Sequence, residues 1–237
     1  MATLFGIISM ARILLTILNS CLVLTYPLPT LPPALVPRFN APASSCPAVR
    51  IISARGTSED PGEGRLATVA SDIAKGHENS ERVPLDYPAG LFPYSLSLHQ
   101  GIRALKSLLN TTVSECPDSK IVVMGYSQGA HVIGNTLCGG TITEAIDTVI
   151  GDKVTAIIFM ADPRHVPGKP YDVGTATRGG LFARPDSESC DFFAPRLRAY
   201  CDSDDPVCDR GFDREVHRAV VRKYQADAVA FVNGLLS

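Results

Sequence analysis

Apolar positions recur along the chain with two different periods. Leu66, Val69 and Ile73 fall on one helical stripe, as do Ile102, Leu105, Leu109 and Val113, and near the end Val220, Tyr224, Ala228, Phe231 and Leu235. Between these stripes lie runs too short and too continuously apolar to be helices: Ala48 to Ala54, Ile121 to Met124, and Val154 to Met160. Such runs suit strands covered on both faces, which is the usual situation in a parallel sheet. A further helix is expected near Ile142 to Ile150. The turn-rich stretch from Arg55 to Gly62 separates the first strand from the first helix, and Cys116-Pro117-Asp118 stops the second helix. Strand and helix therefore alternate. The expected fold is α/β, a sandwich with a central, mainly parallel sheet, without internal repeat or second globular domain.

The first 45 residues follow neither period. Arg12 precedes a mostly apolar run from Ile13 to Leu24, broken by Thr16, Asn19 and Ser20, which has the length of a signal-peptide core and is short for a bilayer span. An uncleaved N-terminal anchor is the alternative, and the apolar Phe5 to Met10 segment favours it. No A-x-A tripeptide marks a cleavage point. Prolines 27, 29, 32, 33, 37 and 42 then deny both helix and ladder bonds. Residues 1–25 are accordingly expected to be a signal peptide, 26–45 a proline-rich propeptide or linker, and 46–237 the folded domain.

Composition narrows the function. With 22 Lys and Arg against 24 Asp and Glu, the formal charge is −2, so no strongly basic field exists to hold nucleic acid. A hydrophobic share of 45% with 19% charged residues excludes wholesale disorder. Of seven cysteines, Cys21 falls in the leader and six remain, at 46, 116, 138, 190, 201 and 208. An even number fits an oxidising compartment, whereas zinc ligation lacks a C-x2-C pair or a close His partner. Asn110-Thr111-Thr112 is a glycosylation sequon, meaningful in an exported chain. The expectation is a secreted, extracellular monomer with no stable membrane association, no metal and no cofactor.

The chemistry starts at Gly125-Tyr126-Ser127-Gln128-Gly129, directly after the Ile121 to Met124 strand and before a helical run from Ala130 to Cys138. A nucleophile on so sharp a strand-to-helix turn needs small neighbours, since a side chain at either glycine would collide with the adjoining strand or helix. A serine hydroxyl also needs a base, and the base a carboxylate to orient it. His131 lies one helical turn beyond Ser127, and the helix carries it away from the hydroxyl, so packing or surface is its expected role. His77 and His99 lie upstream, out of order for this architecture. His165, on a loop after Asp162-Pro163, is a weaker candidate for lining the site. His217 lies downstream, at the start of the last helix and beyond a carboxylate-rich loop, which gives the order Ser, Asp, His. Spacing by itself leaves the acid open among Asp202, Asp204, Asp205 and Asp209.

Together Ala54-Arg55-Gly56-Thr57, the Gly125 to Gly129 motif, and Tyr200-Cys201-Asp202-Ser203-Asp204-Asp205-Pro206-Val207-Cys208 followed by His217 resemble the fungal cutinase and acetylxylan esterase family over most of residues 46 to 237. The resemblance implies a small, lidless three-layer α/β-hydrolase acting as a serine esterase. It implies Ser127 as nucleophile, His217 as base, and Asp205, three residues before Cys208, as the acid, with Asp204 the runner-up and the other acids read as solvated loop charges. The oxyanion hole it implies joins the Gln128 amide to Thr57, and donors aimed where charge develops in the tetrahedral intermediate are each worth about 10² to 10³ in rate. It also implies pairing of Cys46 with Cys116, leaving Cys138 with Cys190, and a Cys201 to Cys208 loop. One departure stands out: the residue before the acid, usually uncharged in that family, is Asp204.

Within the family, Phe159-Met160-Ala161-Asp162-Pro163, Tyr171-Asp172-Val173-Gly174-Thr175 and Arg184-Pro185 leading to Ser189-Cys190 lean toward the acetylxylan esterase branch. The expected substrate is an ester of a plant cell-wall polysaccharide, acetylated xylan first. A cutinase acting on polyesters is the alternative, with Leu91, Phe92, Pro93, Pro206 and Val207 available as an apolar rim. Arg210, Asp213, Arg214 and Glu215 beside His217 argue against a greasy rim on that side. An inert binding or host-interaction protein on the same scaffold is the alternative from another class, and Asp204 is its only sequence hint.

Overall fold

The computed structural model describes residues 46–141 and 143–237. The leader and linker expected over residues 1–45 lie outside these, as does Ile142, the first residue of the helix expected there. Among the described residues six strands form one parallel sheet: β1 (Val49–Ala54), β2 (Ser80–Pro84), β3 (Lys120–Tyr126), β4 (Val154–Met160), β5 (Asp172–Val173) and β6 (Leu197–Tyr200), in the order β2-β1-β3-β4-β6-β5. Helices α1 (Ala67–Lys75) and α5 (Arg214–Leu236) pack together on one face, and α2 (Tyr94–Glu115) and α3 (Gln128–Cys138) on the other.

Pleating sorts the apolar runs between two cores. In β3, Ile121 and Val123 face α2 and α3, while Val122, Met124 and Tyr126 face α1 and α5. In β1, Ile52 and Ala54 take the first side and Val49 and Ile51 the second. Both central strands are covered on both faces, which is why their sequences show no alternation of apolar with polar residues.

Two expectations need revision. Among the described residues of the stretch expected to be helical, 143–150, only those from Thr148 on are helical, as part of α4 (Thr148–Gly151); Asp147 caps it by accepting from the Val149 amide at 2.9 Å. Gly139, at φ +81°, ends α3, and Gly140 bridges to Thr143, so the chain is already committed to a turn where the helix was expected. Strands β2, β5 and β6 are additional to the three expected. β2 reads Ser-Glu-Arg-Val-Pro at the sheet edge, and β5 has two residues, so neither presents an apolar run.

The strand order places a switch between β1 and β3. The chain leaves β1 outward to β2 and returns to β3 on the other side, so the loops after β1 and β3 diverge at their carboxyl ends and open a crevice. Disulfides Cys46–Cys116, Cys138–Cys190 and Cys201–Cys208 tie the loops around this framework.

The turn from β3 into α3 depends on bare backbone. A Cβ on Gly129 would stand 1.9 Å from the Ala54 carbonyl oxygen, and one on Gly125 would stand 2.5 Å from the Ala130 nitrogen. Neither obstacle is a movable side chain. Gly129→Ala should therefore lower the unfolding free energy by at least about 2 kcal/mol, the scale of overpacking a tight interior. Gly234→Ala on α5, where nothing lies within 4 Å, should be neutral or stabilising by up to about 1 kcal/mol. Urea denaturation of the two variants measures the contrast.

Candidate active site

Ser127 occupies the turn between β3 and α3 at φ +53° and ψ −116°, a conformation costly for a residue with a side chain. Its amide donates to the Met160 carbonyl at 2.8 Å, and its carbonyl accepts from His131 at 3.2 Å, so strand β4 and helix α3 both hold the strained unit. The hydroxyl points into a surface cleft of about 570 Å³ that Thr57, Leu91, Tyr126, Pro206, Val207 and His217 also line.

His217 enters from the first turn of α5. Asp213 starts that helix by accepting from the Glu215 amide at 2.8 Å, which fixes where the imidazole emerges. Nε2 lies 3.1 Å from Ser127 Oγ, and Nδ1 lies 2.9 and 3.1 Å from the two oxygens of Asp205. Asp205 is completely buried. With Nδ1–H donating to that carboxylate, Nε2 is left with its lone pair facing the hydroxyl. The Tyr126 ring stacks obliquely 5.1 Å from the imidazole, and its hydroxyl donates to the His217 carbonyl at 3.2 Å. Burial, with the nearby Glu59 and Asp205 charges opposing those of Arg65 and Arg218, leaves that phenol pushed up to about 12, so it remains a donor.

Geometry separates the four loop acids that spacing left open. Asp205 Oδ1 also accepts from the Val207 and Cys208 amides at 2.7 and 3.0 Å, which orients the carboxylate toward His217. Asp204, at φ +73°, is exposed and accepts from the Phe212 amide at 3.1 Å, away from the imidazole. Asp202 and Asp209 are buried, contrary to their reading as solvated charges. Asp202 takes Lys223, Tyr224 and Thr175; burial raises its carboxyl, and those bonds outweigh it and hold it below the ordinary range. Asp209 takes the Thr177, Arg178 and Asp204 amides and the Arg178 guanidinium, with the same net direction. Both therefore brace the loop that carries Asp205, as does the Cys201–Cys208 bond, whose short loop contributes roughly 2 to 3 kcal/mol in the chain-entropy picture.

Thr57, on the loop after β1, lines the same cleft as Ser127. Buried Arg55 fastens that loop to the segment before α2, donating to the Leu85 carbonyl at 3.3 Å and to the Tyr87 carbonyl. Glu59 closes the loop by accepting from the Gly56 and Arg65 amides at 2.6 and 3.0 Å. Gln128 is the first residue of α3, where a backbone N–H has no partner inside the helix. Its side chain turns away to accept from Ser97 and to donate to the Gly90 carbonyl at 2.8 and 3.0 Å. Glu59, Tyr126 and Ser97 were not singled out from sequence. Only their position beside recognised motifs could have drawn attention to them.

The remaining histidines lie elsewhere. His77 bonds Asn233 at 3.0 Å. His165 is buried near Asp172, in a small pocket that Ser127 does not line. His131 is buried as expected, with Nδ1 3.1 Å from the Tyr94 hydroxyl. Asn110 is exposed on α2, its amide donating to the Lys106 carbonyl at 2.7 Å. Leu91, Leu181, Pro206 and Val207 line the cleft together with Arg65, Arg214 and Arg218, so its lining is partly apolar and partly cationic.

A parallel sheet sandwiched by helices, with serine at the strand-to-helix elbow, histidine after the last strand and an acid between them in sequence, defines the α/β-hydrolase class. The cutinase family model matches residues 45–236, and the chain belongs to that family. It is 37% identical to an acetylxylan esterase of Hypocrea jecorina over 207 residues, covering 81% of this chain and 68% of that protein. It is 36% identical to cutinase 11 of Verticillium dahliae over 208 residues, covering 81% and 70%. An acetylxylan esterase structure at 0.90 Å resolution superposes with a TM-score of 0.76 and 35% identity, covering 81% of this chain and all of that one. The protein is a carboxylic ester hydrolase.

Burial, together with the Arg164 and Arg184 cations, pushes the His131 imidazole down to about 3. The unfolded chain takes up this proton near pH 6.5, and the folded protein does not until about pH 3. Between those limits the unfolded state binds more protons, so His131 weakens the fold progressively as pH falls. Relative to His131→Gln, the native protein should lose as much as about 1.4 kcal/mol per pH unit between pH 6 and 4. Chemical denaturation of both proteins across that range measures the slope.

Proposed function

We propose that the protein is a secreted serine esterase that removes acetyl groups from acetylated xylan. The hydrogen-bonded series Ser127, His217, Asp205 carries this reading. Ser127 Oγ attacks the ester carbonyl while His217 Nε2 takes its proton, and Asp205 steadies the imidazolium that forms. The backbone amide of Gln128 and Thr57 receive the negative charge of the tetrahedral intermediate. Its collapse passes the proton from His217 to the departing sugar hydroxyl and leaves an acetyl ester on Ser127. Water, activated by the same imidazole, then releases acetate.

Acetylated xylan is preferred because the acetylxylan esterase likeness extends over most of the folded domain in both sequence and structure. The apolar flank at Leu91, Leu181, Pro206 and Val207, with Phe92 exposed beside it, favours polyester cleavage as the second reading. Three disulfides support export, as do the leader expected over residues 1–25 and the sequon at Asn110. Residues 26–45 then serve as a linker or propeptide.

Ser127→Ala should abolish hydrolysis of a chromogenic acetyl ester and labelling by a fluorophosphonate; undiminished turnover would remove Ser127 from its role. Asp205→Asn should lower kcat by about 10⁴, the scale seen when a triad histidine loses its orienting carboxylate. Asp204→Asn should change kcat less than about threefold, because its carboxylate faces Phe212. For substrate choice, one preparation is offered acetylated xylan and an aliphatic polyester. Acetate release should dominate, and preferential release of fatty monomers would assign the protein to the second reading.

A further inference from the structure

The cleft at Ser127 continues into a second groove. This groove, of about 400 Å³, lies between α1 with its preceding turn and the first half of α5, and it shares Arg65 and Arg218 with the cleft. Thr68 of α1 and Gln225 of α5 tie its two sides together through a 2.8 Å hydrogen bond. The two openings meet close to the chemistry: the Arg65 guanidinium lies 5.9 Å from the Tyr126 ring, which lies 5.1 Å from the His217 ring.

The charge along this path differs in sign from the protein as a whole. Arg214, Arg218 and Arg222 recur every four residues on α5, all exposed, so they form a stripe about 12 Å long on one helix face. Arg65 lies across from them. Glu215 pairs with Arg218 at 2.5 Å and Glu59 with Arg65 at 3.5 Å, both near the cleft. Asp72, farther along, is occupied by Lys75 and the Gln225 amide, and Lys223 is occupied by Asp202. Among the described residues, Arg214 and Arg222 form no ion pair. Four guanidinium groups thus face two carboxylates, in a chain whose formal charge is −2.

We infer that this groove and the edge of the cleft it joins bind an acidic stretch of the polysaccharide whose ester is cleaved, with uronic acid carboxylates lying against Arg65, Arg218 and Arg222 in the groove and Arg214 at the cleft. The inference rests on the esterase reading and names the polymer that reading left general. Guanidinium groups suit the task because their planar fork matches a carboxylate with two parallel hydrogen bonds. The concave shape suits an extended, hydroxyl-rich chain. An anionic lipid surface is flat, and no aromatic or leucine side chain lines the groove to insert into one.

Binding and turnover are measured separately. The full-length Ser127→Ala protein is titrated with a xylan carrying glucuronic acid groups and with the same polymer after its carboxyl groups are reduced to alcohols. At low ionic strength the acidic form should bind about 10-fold tighter, and the gap should close in about 0.5 M salt as the charges are screened. Arg218→Gln combined with Arg222→Gln should close it at low salt. In the active protein the same pair of substitutions should lower kcat/KM on the acetylated acidic polymer more than on its reduced form. Equal affinity for the two polymers overturns the inference, as does an equal loss of kcat/KM on both. Binding to vesicles containing phosphatidylserine without binding to the acidic polymer overturns it in favour of a membrane surface. Failure of the esterase reading would show instead as persistent ester hydrolysis by Ser127→Ala, which the titration does not depend on.

Discussion

Backbone lies against backbone where α3 meets β1, and the site is assembled around that contact. Gly129 leaves the Ala54 carbonyl room that a methyl group would occupy, and Gly125 does the same for the start of α3. The helix can then begin immediately after the strand, which forces Ser127 into a positive-φ conformation and turns its hydroxyl outward. The same close approach leaves the orphaned amide at the start of α3 next to Ser127 in the chain, so one constraint presents both groups that the proposed mechanism uses, the hydroxyl that attacks and a donor for the charge it creates.

The acid side of the site is held differently. Asp205 is buried and its negative charge must be compensated, which two amides and the imidazole accomplish at distances of 2.7 to 3.0 Å. The surrounding carboxylates would repel it if they were free to approach. Instead each is taken up by its own partners: Asp202 by Lys223 and Tyr224, Asp209 by Arg178, Asp204 by the Phe212 amide. A loop rich in like charges is in this way converted into a rigid support, and the disulfide at its ends limits what remains of its freedom.

Beyond the reacting groups, the surface divides. Leucine, proline and valine side chains line the cleft, and arginines on α5 continue from it into the neighbouring groove. The proposed substrate, a small acyl group on a long polar chain, would draw on both kinds of surface. Overall charge says little about such a surface, since a net value of −2 is compatible with a strongly cationic groove.

The core strands and the long helices were legible in the sequence because their apolar periods are set by burial on one or both faces. The serine elbow was legible because its sterics demand glycine at two fixed positions. His217 followed from its order in the chain and its place at a helix start. The short polar strands β2 and β5 were not, since hydrogen bonding to neighbours rather than side-chain character makes them strands. Nor could spacing choose Asp205 among adjacent acids, or expose Asp202 and Asp209 as buried braces, because those outcomes depend on which carboxylate meets which donor across the loop. Local periodicity and steric demand travel along the chain and are written in it; the partner of each charge and the joining of two grooves arise between residues distant in sequence, and only folding brings those residues within a few ångströms.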